Sequence, residues 1–119
     1  MRRAAMAVLS LITAAGAVLA TTQPASAQVY HTCRPDYWTN KCASGYTPAN
    51  HTLDRIWIGI DSSSIVDWEV WDRETGRKVG SGRVSPDKQF RHGIYGLYGN
   101  KYQLVMKGLW GNYGFICDC

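Results

Sequence analysis

The chain reads as all-β: a small antiparallel β-sandwich of immunoglobulin-like type, with a disulfide-stapled N-terminal arm. Three observations predict this. About six short runs alternate apolar and polar residues with period two, turn residues separate them at regular intervals, and no stretch beyond residue 27 has helical periodicity.

Residues 1–27 stand apart from this pattern. Arg2 and Arg3 give a positive start, Ala4 to Ala20 is apolar and uncharged, and Ala25-Ser26-Ala27 offers small residues for a signal peptidase. The apolar run is short for a bilayer and ends in a segment containing Pro24, so a cleaved secretory signal is expected rather than a membrane anchor. The mature, extracellular chain then begins at Gln28. Of the 119 residues, 92 remain, a size at which a core alone stabilises weakly and covalent staples are expected. The whole chain has 13 Lys and Arg against 9 Asp and Glu, and loss of Arg2 and Arg3 leaves a balance of +2. With no basic cluster or stripe, the electrostatic footprint of a nucleic-acid binder is missing.

All four cysteines, Cys33, Cys42, Cys117 and Cys119, follow the signal, and an even count in an exported chain reads as two disulfides. Cys117 and Cys119 are separated by one residue, and extended backbone does not let such a pair close on itself. Cys33 and Cys42 are therefore expected each to pair with one of Cys117 and Cys119, in either combination. A zinc site is disfavoured by that same spacing and by export to an oxidising space.

From Gln28 to Asn50 there is no sustained period, and Pro35, Asp36, Asn40, Gly45, Pro48 and Asn50 are turn residues. This segment is expected to be an irregular arm, with the β-sandwich domain spanning residues 51–119. Ile56, Ile58 and Ile60 mark one face of a first strand, with Arg55 and Trp57 on the other. After a turn at Asp61 to Ser64, Val66, Trp68 and Val70 alternate with Asp67, Glu69 and Trp71, which predicts one buried and one wet face. Arg73-Glu74-Thr75-Gly76 predicts a hairpin loop closing on a glycine at positive φ, and Lys78 to Val84 the return strand. Ser85-Pro86-Asp87-Lys88 makes the next turn, because proline presets its first central position and aspartate tolerates the second. Phe90, His92 and Ile94 then alternate, Tyr102, Leu104 and Met106 form an inward face, and Tyr113, Phe115, Cys117 and Cys119 share one side of the last strand.

Little in the chain has the spacing of catalytic chemistry. His31, His51 and His92 lack an acidic or thiol neighbour at ligand spacing, and Ser62-Ser63-Ser64 lacks the glycines of a nucleophile elbow. Asp67 and Glu69 share one strand face, as residues of a wet sheet surface do, instead of flanking a bond to be cut. The expectation is a protein that is not an enzyme and uses no cofactor or metal. Its unusual feature is aromatic content: five Trp and seven Tyr are more than one small core accommodates. Trp68 and Tyr102 fit the inward set. Tyr30, Tyr37, Trp38, Trp57 and Trp71 fall on the arm or on outward positions, where such residues anchor protein interfaces and stack on sugars. A sugar platform needs coplanar rings in a repeated unit, which the sequence does not show, so these five are expected to meet a protein partner.

Three resemblances accompany this reading. Leu97-Tyr98-Gly99-Asn100-Lys101-Tyr102-Gln103-Leu104 resembles the tyrosine corner of immunoglobulin-like and fibronectin-type domains, which implies that the Tyr102 hydroxyl returns to backbone upstream of its strand. In its signal, its mature length and its arm stapled to the last strand, the chain resembles the small adaptor subunits of bacterial umbrella toxin particles. That implies a secreted adaptor joining components of an extracellular toxin. In size and disulfide count it is also similar to small secreted hydrolase inhibitors of actinobacteria. Tyr37-Trp38 resembles part of the aromatic-basic triplet of proteinaceous α-amylase inhibitors, but Thr39 stands where the basic residue belongs, so the inhibitory residues do not carry over. Hydrolase inhibition and carbohydrate binding are the alternatives to the adaptor.

Overall fold

A computed structural model describes residues 28–119, and the secretory signal expected over 1–27 lies outside the described residues. The described part is all-β. Its eight strands are β1 (Tyr30–Cys33), β2 (Lys41–Ala43), β3 (Arg55–Asp61), β4 (Val66–Asp72), β5 (Arg77–Val84), β6 (Gln89–Tyr95), β7 (Tyr102–Gly108) and β8 (Tyr113–Cys117). They form two four-stranded sheets, ordered β1-β8-β3-β6 and β2-β7-β4-β5, in which every neighbouring pair is antiparallel.

The alternating runs place the core between the sheets. Ile56, Ile58 and Ile60 from β3, Val66, Trp68 and Val70 from β4, Leu104 and Met106 from β7 and Ile116 from β8 are all buried. Each fully buried aliphatic side chain contributes about 1.5–3 kcal/mol of transfer free energy. Trp68 is the largest wedge in this layer, and β5 makes room for it. Gly82 stands opposite Trp68 in register, and a Cβ on Gly82 would lie 2.9 Å from the indole Nε1. Phe90 and His92 of β6 lean on the same indole, their centroids 5.9 and 5.7 Å away, and so line the gap between β5 and β6.

The turns follow their residues. Gly76 has φ 75° and closes the β4–β5 loop, where Asp72 Oδ1 accepts the Glu74 amide at 2.9 Å. Asp87 takes φ 60° in the β5–β6 turn, and the buried Ser62 receives the Lys88 amide on its hydroxyl at 3.0 Å. The tyrosine corner is present, with Tyr102 buried and its hydroxyl bonded to the Gly99 amide.

Two expectations are corrected. The segment 28–50 is not irregular throughout: β1 adds to the edge of one sheet through β8, and β2 to the edge of the other through β7. These strands have four and three residues, too few to show a period, and backbone pairing holds them in place of a hydrophobic stripe. The cysteine pairing is also different, joining Cys33 to Cys42 and Cys117 to Cys119. Register is the reason. Cys117 stands opposite Tyr30 and Trp57 on the outer face, whereas Cys33 stands opposite Gly114 on the inner face, three positions along β1. That offset is about 10 Å along a strand, beyond the reach of a disulfide. Cys33 meets Cys42 across the sandwich instead, with their Cα atoms 5.7 Å apart. The backbone leaves the strand after Cys117, which brings the Cys119 Cα to 5.3 Å, closer than extended chain permits.

Candidate functional site

Exposed aromatics collect at one end of the sandwich, where the β1–β2, β3–β4 and β7–β8 loops lie together. Tyr37 is the centre of this cluster. Its ring meets Trp38 edge-on at 5.2 Å and Trp110 edge-on at 6.2 Å. All three are largely exposed, Trp38 at 85%, and Leu109 and Ile65 lie exposed on the adjoining loops.

The loops that carry these rings are fixed by their own polar groups. Asp36 accepts the Trp38 amide on Oδ1 at 2.9 Å and the Asn40 amide on its carbonyl at 2.8 Å, while Asn40 sits at φ 57°. The Asn40 carbonyl then accepts the Gly108 amide at 2.8 Å, tying the first loop to the end of β7. Buried Asn112 holds the other two together. Its Oδ1 accepts the amides of Ser63 and Ser64 at 2.9 and 3.2 Å, and its Nδ2 donates to Ser64 Oγ and the Leu109 carbonyl at 2.9 and 2.8 Å. Exposed rings on ordered backbone are the arrangement that binds with little further loss of chain entropy.

The other predicted contact residues lie elsewhere. Tyr30 and Trp57 are on the outer face of the β1-β8-β3-β6 sheet. There Tyr30 stacks on Phe115 at 5.2 Å and shares a 3.1 Å hydrogen bond with the Tyr113 hydroxyl, which raises its pKa. Arg91 lies over Phe115 at 5.2 Å, Arg34 over Tyr113 at 4.6 Å, and Arg55 beside Trp57 at 5.4 Å. Trp71 is on the opposite sheet and is engaged within the chain. Its Nε1 donates to Glu69 Oε1 at 3.1 Å, which with nearby Lys107 and Lys78 holds that carboxyl below its usual pKa. Arg73 and Lys78 lie over its ring at 5.2 and 5.9 Å. The structure thus groups Tyr37 with Trp38, sets Tyr30 and Trp57 on one sheet, and leaves Trp71 apart.

Sequence reasoning did not join Trp110 to Tyr37, and it overlooked Leu109, Ile65 and the four arginines over rings, Arg34, Arg55, Arg73 and Arg91. The pairing of loops depends on Asn112, and nothing in the order of residues announces that bond. The groups weighed for chemistry have local partners. His51 Nε2 lies 3.2 Å from Asn100 Oδ1, His92 stacks on Phe90, the Ser62 hydroxyl donates to the Ser85 carbonyl, and Asp67 is paired with Arg83 at 2.7 Å. Among the described residues no three His, Cys, Asp or Glu side chains gather as a metal site would require.

No protein-family model and no curated protein matches the chain. Among solved structures, the crystal structure of PirA aligns with a TM-score of 0.43 and 11% identity, over 80% of this chain and 94% of that one.

Proposed function

We propose that this chain is a secreted, non-enzymatic protein-binding module, an adaptor that joins components of an extracellular assembly such as a toxin particle. The observation that carries the reading is the cluster of Tyr37, Trp38 and Trp110 on hydrogen-bonded loops at one end of a disulfide-pinned sandwich. Aromatic anchors on ordered backbone have the composition and the low ordering cost of an interface hot spot. The rings are steeply inclined to one another, at 68° and 80°, which suits insertion between side chains of a protein surface and not the flat stacking of a sugar. Two disulfides suit an oxidising space outside the cell.

The test is capture from the culture supernatant of the producing cells on the immobilised protein, beside a variant carrying Tyr37→Ala and Trp38→Ala. A co-secreted polypeptide retained by the first and lost by the second is the expected result, with binding to the purified partner weakened by about 2 kcal/mol or more. A captured hydrolase whose activity falls would make the module an inhibitor. Equal capture by both proteins would remove the end cluster from recognition.

A further inference from the structure

We infer that the disulfide joining Cys117 to Cys119 is a thiol-exchange site, at which an incoming thiol takes over Cys119 and releases Cys117. This goes beyond the end cluster and does not depend on it.

The two disulfides differ in what they hold. Cys33 belongs to the buried core and Cys42 packs against it, so their bond ties β1 of one sheet to β2 of the other. Cys117 stands on β8 between Tyr30 and Trp57, and its bond reaches only two residues along the same chain. A crosslink over so short a loop removes little freedom from the unfolded chain, and opening it separates no strand from another. The segment after β8 is also held without its sulfurs. Asp118 Oδ1 accepts the Val29 amide at 2.9 Å, and the Asp118 amide donates to the Val29 carbonyl at 3.2 Å. Asn50 Nδ2 donates to the Asp118 carbonyl at 2.8 Å, and Arg55 Nε to the Cys119 carbonyl at 3.1 Å. With the disulfide open, these bonds keep Cys119 beside Cys117, poised to reclose.

The two sulfurs are unequal. Cys117 is buried, whereas Cys119 is partly open, so a thiolate arriving from solvent meets Cys119 first. Its attack forms a bond between the incoming sulfur and Cys119 Sγ, breaks the Cys117–Cys119 bond, and sends that electron pair to Cys117 Sγ. The leaving sulfur has a donor waiting: the Cys119 amide nitrogen lies 3.3 Å from Cys117 Sγ, and a hydrogen bond to a thiolate favours its charged form. A thiolate so stabilised leaves faster. The incoming thiol gives its proton to solvent and Cys117 takes one up, so one disulfide is exchanged for another without net oxidation or reduction. Return attack by Cys117 on Cys119 expels the visitor and restores the starting bond.

The test incubates the purified, folded protein at neutral pH with reduced glutathione, or with a labelled peptide carrying one cysteine. Free thiols are then alkylated with iodoacetamide, and the products are mapped by mass spectrometry. An adduct on Cys119 with Cys117 alkylated is expected, formed about tenfold or more faster than Cys33–Cys42 opens. Adducts with both reagents admit a polypeptide thiol, and adducts with glutathione alone restrict the site to small thiols; either result supports the exchange. Cys117→Ser should form a lasting mixed disulfide at Cys119 with oxidised glutathione, whereas Cys119→Ser, whose remaining thiol is buried, should react about tenfold or more slowly. Should a variant fold poorly, mapping of the unaltered protein carries the comparison. Absence of an adduct on Cys119, adducts on Cys117 in its place, or opening of Cys33–Cys42 at an equal rate would overturn the inference. Partner capture through the end cluster would stand in each of those cases.

Discussion

The Tyr102 hydroxyl accepts the Gly99 amide at 2.8 Å, three residues upstream of a ring otherwise buried in the core. Burial pushes the phenol pKa up, and the Gly99 hydrogen bond opposes that rise. Tyr102→Phe should keep the packing and lose the bond, at a cost of about 1 kcal/mol in urea unfolding.

Trp68→Ala should cost about 3–5 kcal/mol, because the cavity lies between two sheets and Gly82, which faces the indole from β5, has no side chain to fill it. Thermal melting of the variant checks this. A nearly unchanged melting temperature would mean that the indole is not the wedge between β4 and β5.

The two disulfides close loops of very different length, with sequence separations of 9 and 2. Non-reducing peptide mapping should recover Cys33 with Cys42 and Cys117 with Cys119. In the chain-entropy view, replacing both Cys33 and Cys42 with Ala should cost about 2.5–3 kcal/mol, and replacing both Cys117 and Cys119 about 1.5 kcal/mol.

Acid should weaken the fold through the β2-β7-β4-β5 sheet. The carboxyl of Glu69 is held below its usual pKa first by the Trp71 indole, and that of Asp67 first by Arg83. A depressed folded-state pKa contributes stability that is present above the ordinary carboxylate value of about 4 and is lost as pH falls through the lower folded value. Glu69→Gln should flatten part of that acid limb, and Trp71→Phe should do the same by removing the donor. Melting temperatures compared at neutral pH and below pH of about 4 would show it.

Asn112→Ala should remove the hydrogen bonds that hold the β3–β4 and β7–β8 loops together, at a cost of about 2–3 kcal/mol. Although Asn112 is buried, the variant should also bind the partner of the end cluster more weakly, because Trp110 loses its fixed position. Calorimetry with the purified partner would separate the two effects.

Much of the core was legible in order of sequence. The phases of β3, β4 and β7 follow from Ile56, Trp68 and Leu104 and their alternate neighbours, since a period of two leaves one choice of inner face. The tyrosine corner was legible because its hydrogen bond is local. What escaped depends on which strand lies beside which. Cys33 and Cys117 belong to paired strands but point to opposite faces, and only the register of β1 on β8 reveals it. Phe90 and His92 follow the alternation and yet stay partly open, because β6 is the last strand of its sheet and covers them on one side only. Tyr37 and Trp110 are separated by most of the chain, and their contact was invisible until three loops converged.

The Cys33–Cys42 bond also divides the motions of the sandwich unequally. It rivets one seam, where β1 and β2 flank the two sheets, whereas the opposite seam, where β5 and β6 lie, is joined by the short turn between those strands at one end and by side chains along the rest. Breathing is then a hinged motion, with the covalent side as the spine and the Trp68 side as the fore-edge. Amides of β5 and β6 should exchange with solvent ahead of those in β3, β4 and β7. The ladder groups they uncover are those through which one molecule would recruit strands from another, so the crosslink on the far side also determines where self-association would begin.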